Sequence, residues 1–388
     1  MIKITNRQDC CGCLACVQKC PQRCIRAYAD EEGFLYPVVD LQKCIDCGVC
    51  ERTCPIINRK GKGKIGGVFA AVSRNDAVRL KSSSGGIFSL MAENTIAAGG
   101  VVFGAKFDEN WQVVHSCFET AEELNAFRGS KYVQSNMQSA YIRAQQYLKD
   151  GRKVLFTGTP CQIAGLKQFL NKEYPNLYAV DLLCHGVPSP KVWDLYLNSV
   201  CANRKNITKI NMRDKSTGWM QYSFLMEVSG KKAISEKLDE NPFRLGFLKD
   251  IYLRPSCYSC KFRGFRSKSD ITLGDFWRVD KYCNKSVFAD NMGVSLVLVN
   301  SQKGGELLKA ISDAAFVKKL ENYNAKDLSA HLFKSVPEPR NRRKFFAALQ
   351  NDNLLPLIKK YAVLPLGVRI KTAIIVALVK VRNFICKK

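Results

Sequence analysis

The sequence predicts an α/β core domain, a mixed sheet with flanking helices, preceded by a small α+β unit built around clustered cysteines. Two observations predict it. Ten of the 18 cysteines fall within the first 54 residues, in two copies of one pattern. From about residue 65 the chain alternates strand-like apolar runs with helical ones, the grammar of a sheet packed between helices. At 388 residues there is room for two or three domains, and 46% hydrophobic residues is ordinary for a chain that buries its own core.

The small unit comes first. Cys10-x2-Cys13-x2-Cys16-x3-Cys20-Pro21 recurs as Cys44-x2-Cys47-x2-Cys50-x3-Cys54-Pro55. Three closely spaced thiolates can wrap one face of an iron–sulfur cube. The fourth, fixed in a turn by the proline after it, is carried away. In two-cluster ferredoxins that fourth cysteine ligates the other cluster. The spacing therefore assigns Cys10, Cys13, Cys16 and Cys54 to one 4Fe–4S cluster, and Cys44, Cys47, Cys50 and Cys20 to a second. Zinc ligands are normally arranged two and two rather than three and one. Residues 1–57 thus read as a dicluster ferredoxin-like domain. Cys11 and Cys24 fall outside the pattern and read as packing residues. "MIKITNRQDCC" has no apolar h-region, so a cytoplasmic location is expected, where clustered cysteines are metal ligands or redox groups rather than disulfides.

Residues 58–66, within "NRKGKGKIGG", form a basic Gly/Lys linker. The core is expected over 67–335. "IGGVFAAVS" reads as a strand, "GGIFSLMAENTIAAG" as a helix and "GVVFGAKF" as a strand. "KVLFTGTPCQIAGLKQFL" and "LYAVDLLCHGVPSPKVWDLYL" are two strand–loop–helix units. "QYSFLMEVSGKKAISEKL" is an antiparallel hairpin. "ITLGDFW" and "GVSLVLVN" are strands, and "GGELLKAISDAA" is a helix. Residues 336–388 read as a basic tail. Near its end a helix would put Ile370, Ala373, Ile374, Ala377, Leu378 and Val381 on one side. Docking on its own domain is the first reading of that helix, and peripheral contact with the inner face of the membrane the second.

The core also carries chemistry. Cys161 follows "VLFTGTP" and Cys184 follows "YAVDLL", each just past a strand's C-terminal end, where α/β proteins place their sites. Cys257 and Cys260 in "RPSCYSCKF" make four. Alone, that pair would be half a zinc knuckle or a thioredoxin-like dithiol, but a dithiol should open a helix after a strand. With the two strand-end cysteines it completes the four ligands that a third 4Fe–4S cluster requires. Against this stands burial of Cys161 and Cys184 as packing residues.

The ordered motifs "KSSSGGIFS", "FRGSKYVQS", "VLFTGTPCQIAGL", "DLLCHGVPSP", "RDKSTGW", "RPSCYSCKF" and "SDITLGDFW" resemble those of the family of coenzyme F-420 hydrogenase/dehydrogenase beta subunits. The resemblance covers roughly residues 65–335 and implies bound FAD, a 4Fe–4S cluster inside the core domain, and hydride exchange at the flavin. For the flavin it points to Ser82, Ser83, Ser84, Gly85 and Gly86 before a helix, where a phosphate could rest. An ordinary N-cap is the plainer reading of that stretch. Arg128, Ser130, Lys131, Tyr132 and Gln134 offer phosphate, ring or amide contacts, and Thr157, Gly158 and Thr159 a turn close to the ring. Lys131 near a flavin could stabilise negative charge on the reduced ring; otherwise it is a solvated loop lysine. His185 is the candidate proton donor, or a hydrogen-bonding neighbour that supports the cluster. Asp275 lines the site or holds a turn. His115 and His331 have no motif around them and read as structural.

The formal net charge is +26. Each 4Fe–4S core on four thiolates offsets about two of those charges, and FAD roughly two more. The remaining basic surface suits an acidic redox partner, an anionic substrate or an anionic membrane. Apart from the linker and the C-terminal tail the basic residues are dispersed, and no nucleic-acid motif is present.

These readings converge on an iron–sulfur flavoprotein oxidoreductase. Electrons would pass from ferredoxin or another low-potential donor, singly, through the clusters to FAD, then as hydride to an organic substrate, or in reverse. The alternative is a non-catalytic electron-transfer subunit that feeds a partner enzyme. The hydrogenase relatives imply the deazaflavin as substrate. Bacterial relatives beside surface-glycan genes imply a glycan-linked one.

Overall fold

The computed structural model describes residues 1–237, 240–283, 286–350 and 353–362. In the N-terminal unit, β1 (Ile25–Ala29) and β2 (Leu35–Val39) pair antiparallel, with Ile25 opposite Val39. Two five-residue helices, Ala15–Lys19 and Val49–Thr53, flank this hairpin in sequence. Each starts after a left-handed residue (Leu14, φ 57°; Gly48, φ 70°) and ends at the fourth cysteine of its motif, Cys20 or Cys54. The helix therefore carries the third cysteine inward while the extended C-cap turns the fourth away.

The core strands follow in chain order: β3 (Gly67–Ser73), β4 (Val101–Phe107), β5 (Val113–Phe118), β6 (Val154–Gly158), β7 (Leu177–Leu182), β8 (Ile207–Asp214), β9 (Ser223–Val228), β10 (Lys231–Lys237), β11 (Ile271–Asp275), β12 (Ser295–Val299) and β13 (Ala315–Leu320). Eight form one mixed sheet in the order β13-β3-β12-β11-β7-β6-β4-β5. Its centre, β4, β6, β7 and β11, is parallel, and the outer pairings are antiparallel. Strand β6 is buried along its whole length, as a strand covered on both faces must be. The remaining three form an antiparallel sheet, β10-β9-β8. Its β9–β10 turn is Ser229-Gly230, both at positive φ, the geometry a tight hairpin favours.

The fold class expected from the sequence is the one observed. Strands β5, β8 and β13 are additions to the expected set. They lie at sheet edges, where polar residues break the apolar run: β13 passes from a buried Ala315 through four exposed residues to a buried Leu320.

The two units pack as one. Leu14 and Ala15 share an apolar core with Tyr141, Ile163 and Phe169. Gly12 sits at φ 69°, and a Cβ there would lie 2.6 Å from Gln134 and 2.7 Å from Arg254. Only glycine fits both the angle and the space.

Beyond residue 335 the chain differs from a basic tail. Helices Arg342–Ala348 and Leu354–Ala362 bury Phe345, Leu357 and Ile358 in the core that holds Trp193 and Tyr252. Their lysines and arginines, apart from the buried Arg342, cover the outer side and mask the apolar spacing in the sequence. The amphipathic stretch 370–381 lies outside the described residues. Among those described, no helix is long and apolar enough to cross a membrane.

Candidate functional site

Because β6 and β7 run parallel, with Gly158 beside Asp181, their C-terminal ends open on the same edge. Thr159 caps the helix Pro160–Leu170 through a capping box with Gln162, which sets Cys161 in its first turn. Cys184 follows β7 by two residues. Cys257 closes a short turn whose N–H donates to the Arg254 carbonyl at 2.9 Å, and the Cys260 N–H donates to Ser335 Oγ at 3.0 Å.

Three small cavities are rimmed by cysteines. Cys20, Cys24, Cys44, Cys47 and Cys50 line the outer one. Cys10, Cys11, Cys13, Cys16 and Cys54 line the middle one. Cys11, Cys161, Cys184, Cys257 and Cys260 line the inner one. The side chains thus sort as the crossed spacing does, with Cys54 beside the first motif and Cys20 beside the second. Two residues left out of that spacing are also present: Cys24 Sγ lies 3.4 Å from Cys20 Sγ, and Cys11 lines both the middle and inner cavities.

Burial pushes the Cys257 thiol up to about 12, and burial with the neighbouring Cys10 and Cys54 raises Cys16. Such sets shed their protons only against cationic charge held among them, which is what an iron–sulfur core provides. Among the described residues no three His, Cys, Asp or Glu side chains converge on a single-ion site. Four thiolates on the corners of a cube need not converge on a point.

Above the sheet edge lies a cavity of about 320 Å³. Ser82, Ser83, Ser84, Gly86, Arg128, Ser130, Lys131, Tyr132, Thr157, Gly158, Thr159 and His185 line it, with Asp275 and His115. Gly85 and Gln134 do not. Gly85 is wedged against the sheet, where a Cβ would lie 2.4 Å from the Ala71 carbonyl. Between Val133 and Ser135, which both line the cavity, the Gln134 side chain points away, and its amide donates to the Cys11 carbonyl at 3.1 Å. Cys184, Gly186 and Val187 line both this cavity and the inner cysteine cavity.

The cavity walls are fixed by hydrogen bonds. His115, fully buried, takes Nδ1 to Ser135 Oγ (2.9 Å) and donates from Nε2 to the Thr157 carbonyl (2.7 Å), while Gln162 Nε2 donates to Ser135 Oγ (2.8 Å). Burial pushes His115 down to about 4, so the ring is neutral. The network locks the turn that presents Cys161. Nothing in the local sequence marks His115, because its partners lie 20 and 42 residues away.

Lys131 Nζ donates to the carbonyls of Ala126 (3.0 Å) and Arg128 (2.9 Å), and burial pushes it down to about 7. The hydroxyls of Ser82 and Ser84 donate to the carbonyls of Val78 and Val294, both at 2.7 Å. Arg128 is fully engaged with Ser89, Asn125 and Glu93. His185 joins Asp250 through Nε2 and His331 through Nδ1 (3.1 Å). His331 does not line the cavity and meets it only through His185. Asp275 pairs with the buried Arg213 and accepts from Trp219 Nε1 at 2.9 Å.

Several known proteins are similar to this chain. Two family models match, both for the beta subunit of coenzyme F420 hydrogenase/dehydrogenase: the one for its N-terminal part at residues 68–141, and the one for its C terminus at 151–324. The coenzyme F420-dependent sulfite reductase of Methanocaldococcus jannaschii is 23% identical over 368 residues, 89% of this chain and 53% of that protein. A subunit of the F(420)H(2) dehydrogenase of Methanosarcina mazei is 24% identical over 227 residues, 55% of this chain and 62% of that protein. The chain thus spans between half and two thirds of the length of these relatives. Ferredoxin-1 of Caulobacter vibrioides is 44% identical over 46 residues, 12% of this chain and 36% of that protein. A chain of the F420-reducing NiFe hydrogenase complex from Methanosarcina barkeri aligns at 18% identity over 77% of this chain and 93% of its own, with a TM-score of 0.47. With the N-terminal and C-terminal models matched in order through the core, the chain belongs to the family of coenzyme F420 hydrogenase/dehydrogenase beta subunits.

Proposed function

We propose that the chain is an iron–sulfur flavoprotein oxidoreductase, with residues 1–57 as a dicluster ferredoxin-like domain, 58–66 a linker and 67–335 the flavin and iron–sulfur domain. The observation that carries this reading is the shared wall of Cys184, Gly186 and Val187, which puts a cysteine quartet directly against a ligand cavity. Bound there, 4Fe–4S clusters supply single electrons and FAD supplies two-electron hydride exchange with an organic substrate, in either direction.

The chain's own residues have distinct tasks. Cys20, Cys44, Cys47 and Cys50 hold the outermost cluster, where the exposed Cys47 gives ferredoxin or another low-potential donor a place to dock. Cys10, Cys13, Cys16 and Cys54 hold the second, and Cys161, Cys184, Cys257 and Cys260 the third. At the large cavity, the first N–H groups of the helix Ile87–Ala97 face an anion such as a phosphate, since the Ser82 and Ser84 hydroxyl protons are already given to carbonyls. Lys131, Tyr132 and the Thr157–Thr159 turn border the flavin ring. His185, hydrogen-bonded to Asp250 and His331, lines the cavity as the candidate proton donor. The substrate is an organic molecule, the deazaflavin named for the relatives or a glycan-linked one.

Protein purified anaerobically should contain about twelve irons, four per cluster, and one flavin. Eight irons and no flavin would overturn the assignment of the core.

A second reading is favoured by the relatives' greater length and by one of them being a subunit of a dehydrogenase. In it, the chain passes electrons to a partner enzyme and does no chemistry on a substrate. Turnover of a substrate by the reduced chain alone would exclude it.

A further inference from the structure

The guanidinium of Arg254 is completely buried where the ferredoxin-like unit meets the core. Its Nε donates to the Cys10 carbonyl (2.8 Å), Nη1 to Gln134 Oε1 (2.9 Å) and Nη2 to the Leu35 carbonyl (3.0 Å). It also lies over the rings of Tyr36, 4.3 Å from the centroid, and Phe34, 5.4 Å away. Every acceptor it touches is neutral. The other buried guanidiniums Arg79, Arg213 and Arg342 each face a carboxylate, and Arg244 lies against the phenols of Tyr132 and Tyr222. Among the described residues, Arg254 has no acidic partner within ion-pair reach.

A buried cation with no counter-charge is costly, and arginine cannot escape by losing its proton. The groups around Arg254 that can carry negative charge are the thiols of Cys10, Cys11 and Cys257 and the Tyr36 phenol. Burial raises the phenol, which stays neutral. That leaves cysteines, and they belong to two different sites: Cys10 to the middle cavity, Cys257 to the inner one and Cys11 to both.

We propose that Arg254 is the shared counter-cation of the middle and inner cluster sites, stabilising the extra negative charge each takes on when reduced and so raising both reduction potentials. None of the cysteines of the outer site around Cys47 is among the groups near Arg254, so that site does not feel it. Electrons arriving at the surface are thereby drawn inward, and the two inner sites compete for one cation. Arg254 acts as a positioning residue, not a catalytic one.

This rests on the three cysteine sites holding clusters, which an iron count of about twelve checks first and separately. The measurement is an anaerobic potentiometric titration of the full-length protein, each cluster followed by its EPR signal. R254M should lower two of the three midpoint potentials by at least a tenfold shift in the reduction equilibrium, or about 59 mV per electron, and leave the third unchanged. R254K, which keeps the charge, should restore most of the difference. Q134E, which sets a carboxylate against the guanidinium without removing it, should lower the same two potentials and stays informative if R254M does not assemble. Three clusters with unaltered potentials in R254M or Q134E would overturn the proposal. So would an equal shift in all three, or a lysine variant that behaves as the methionine one does.

Discussion

Glu32 and Arg342 form a buried, two-pronged ion pair across 310 residues of chain, with Arg342 Nη1 2.8 Å from Glu32 Oε1. Arg342 Nη2 also donates to the Leu253 carbonyl at 3.0 Å, two residues before the turn that carries Cys257. The pair therefore ties the β1–β2 hairpin, the C-terminal helices and the loop of the inner cysteines together. R342A would leave Glu32 buried without a partner, and denaturant unfolding should show a loss of about 3–5 kcal/mol. E32Q, which leaves a neutral acceptor, should cost less. A double variant to apolar residues should be milder than R342A, because it strands no charge. Equal costs for all three would show that the charges are not what holds this junction.

The crossed arrangement of the N-terminal cysteines makes a prediction that a serial arrangement would not. Cys54 lies with the cysteines of the first motif and Cys20 with those of the second. C54A should therefore degrade the cluster held by Cys10, Cys13 and Cys16, and C20A the one held by Cys44, Cys47 and Cys50. C257A or C260A should remove one cluster's EPR signal and leave the ferredoxin-like pair intact. If C54A instead removes the signal of the second motif, the crossed ligation is wrong.

Stability should also depend on pH through His115. Its ring is held at about 4 by burial, well below the ordinary value of 6.5, so the folded state favours the neutral form. Above pH 6.5 both folded and unfolded chains are neutral and the full stability is present. As the pH falls from there toward 4, the unfolded chain takes up the proton first, and roughly 3 kcal/mol is lost across that window. H115Q should flatten this part of the profile, read by denaturant unfolding at about pH 5, 6 and 7. An unchanged slope in H115Q would assign the pH dependence to other groups.

Much of the site is legible in the sequence because its information is local. The cysteine motifs specify their own geometry within a dozen residues each. Cys161 and Cys184 are placed by the apolar runs that end just before them, since a parallel strand pair must deliver both to one edge. What the sequence hides depends on contacts across the chain. Arg254 reads as an ordinary loop arginine until the fold brings Cys10, 244 residues distant, to its Nε. Cys11 reads as a spare packing cysteine because no spacing rule says that the middle and inner cavities meet at it. Gln134 would be expected beside its neighbours Lys131 and Tyr132, but its side chain turns away from the cavity to meet Cys11, Gly12 and Arg254.

Lys131 gives the last prediction, and the sign of its pH dependence follows from its surroundings. Its Nζ faces two carbonyls, Ala126 and Arg128, which a neutral amine can satisfy as well as an ammonium. Burial holds it at about 7, so it is charged below that pH and neutral above it. If it borders the flavin, the positive charge present below about pH 7 stabilises the anionic reduced ring and raises the flavin potential there. K131M should then lower the two-electron flavin potential at about pH 6 and leave it nearly unchanged at about pH 8. The wild type should show an inflection near pH 7 that the variant lacks, measured by anaerobic spectroscopic titration. A variant shifted equally at both pH values would mean that Lys131 acts through packing, and an unshifted one that the flavin ring lies elsewhere in the cavity.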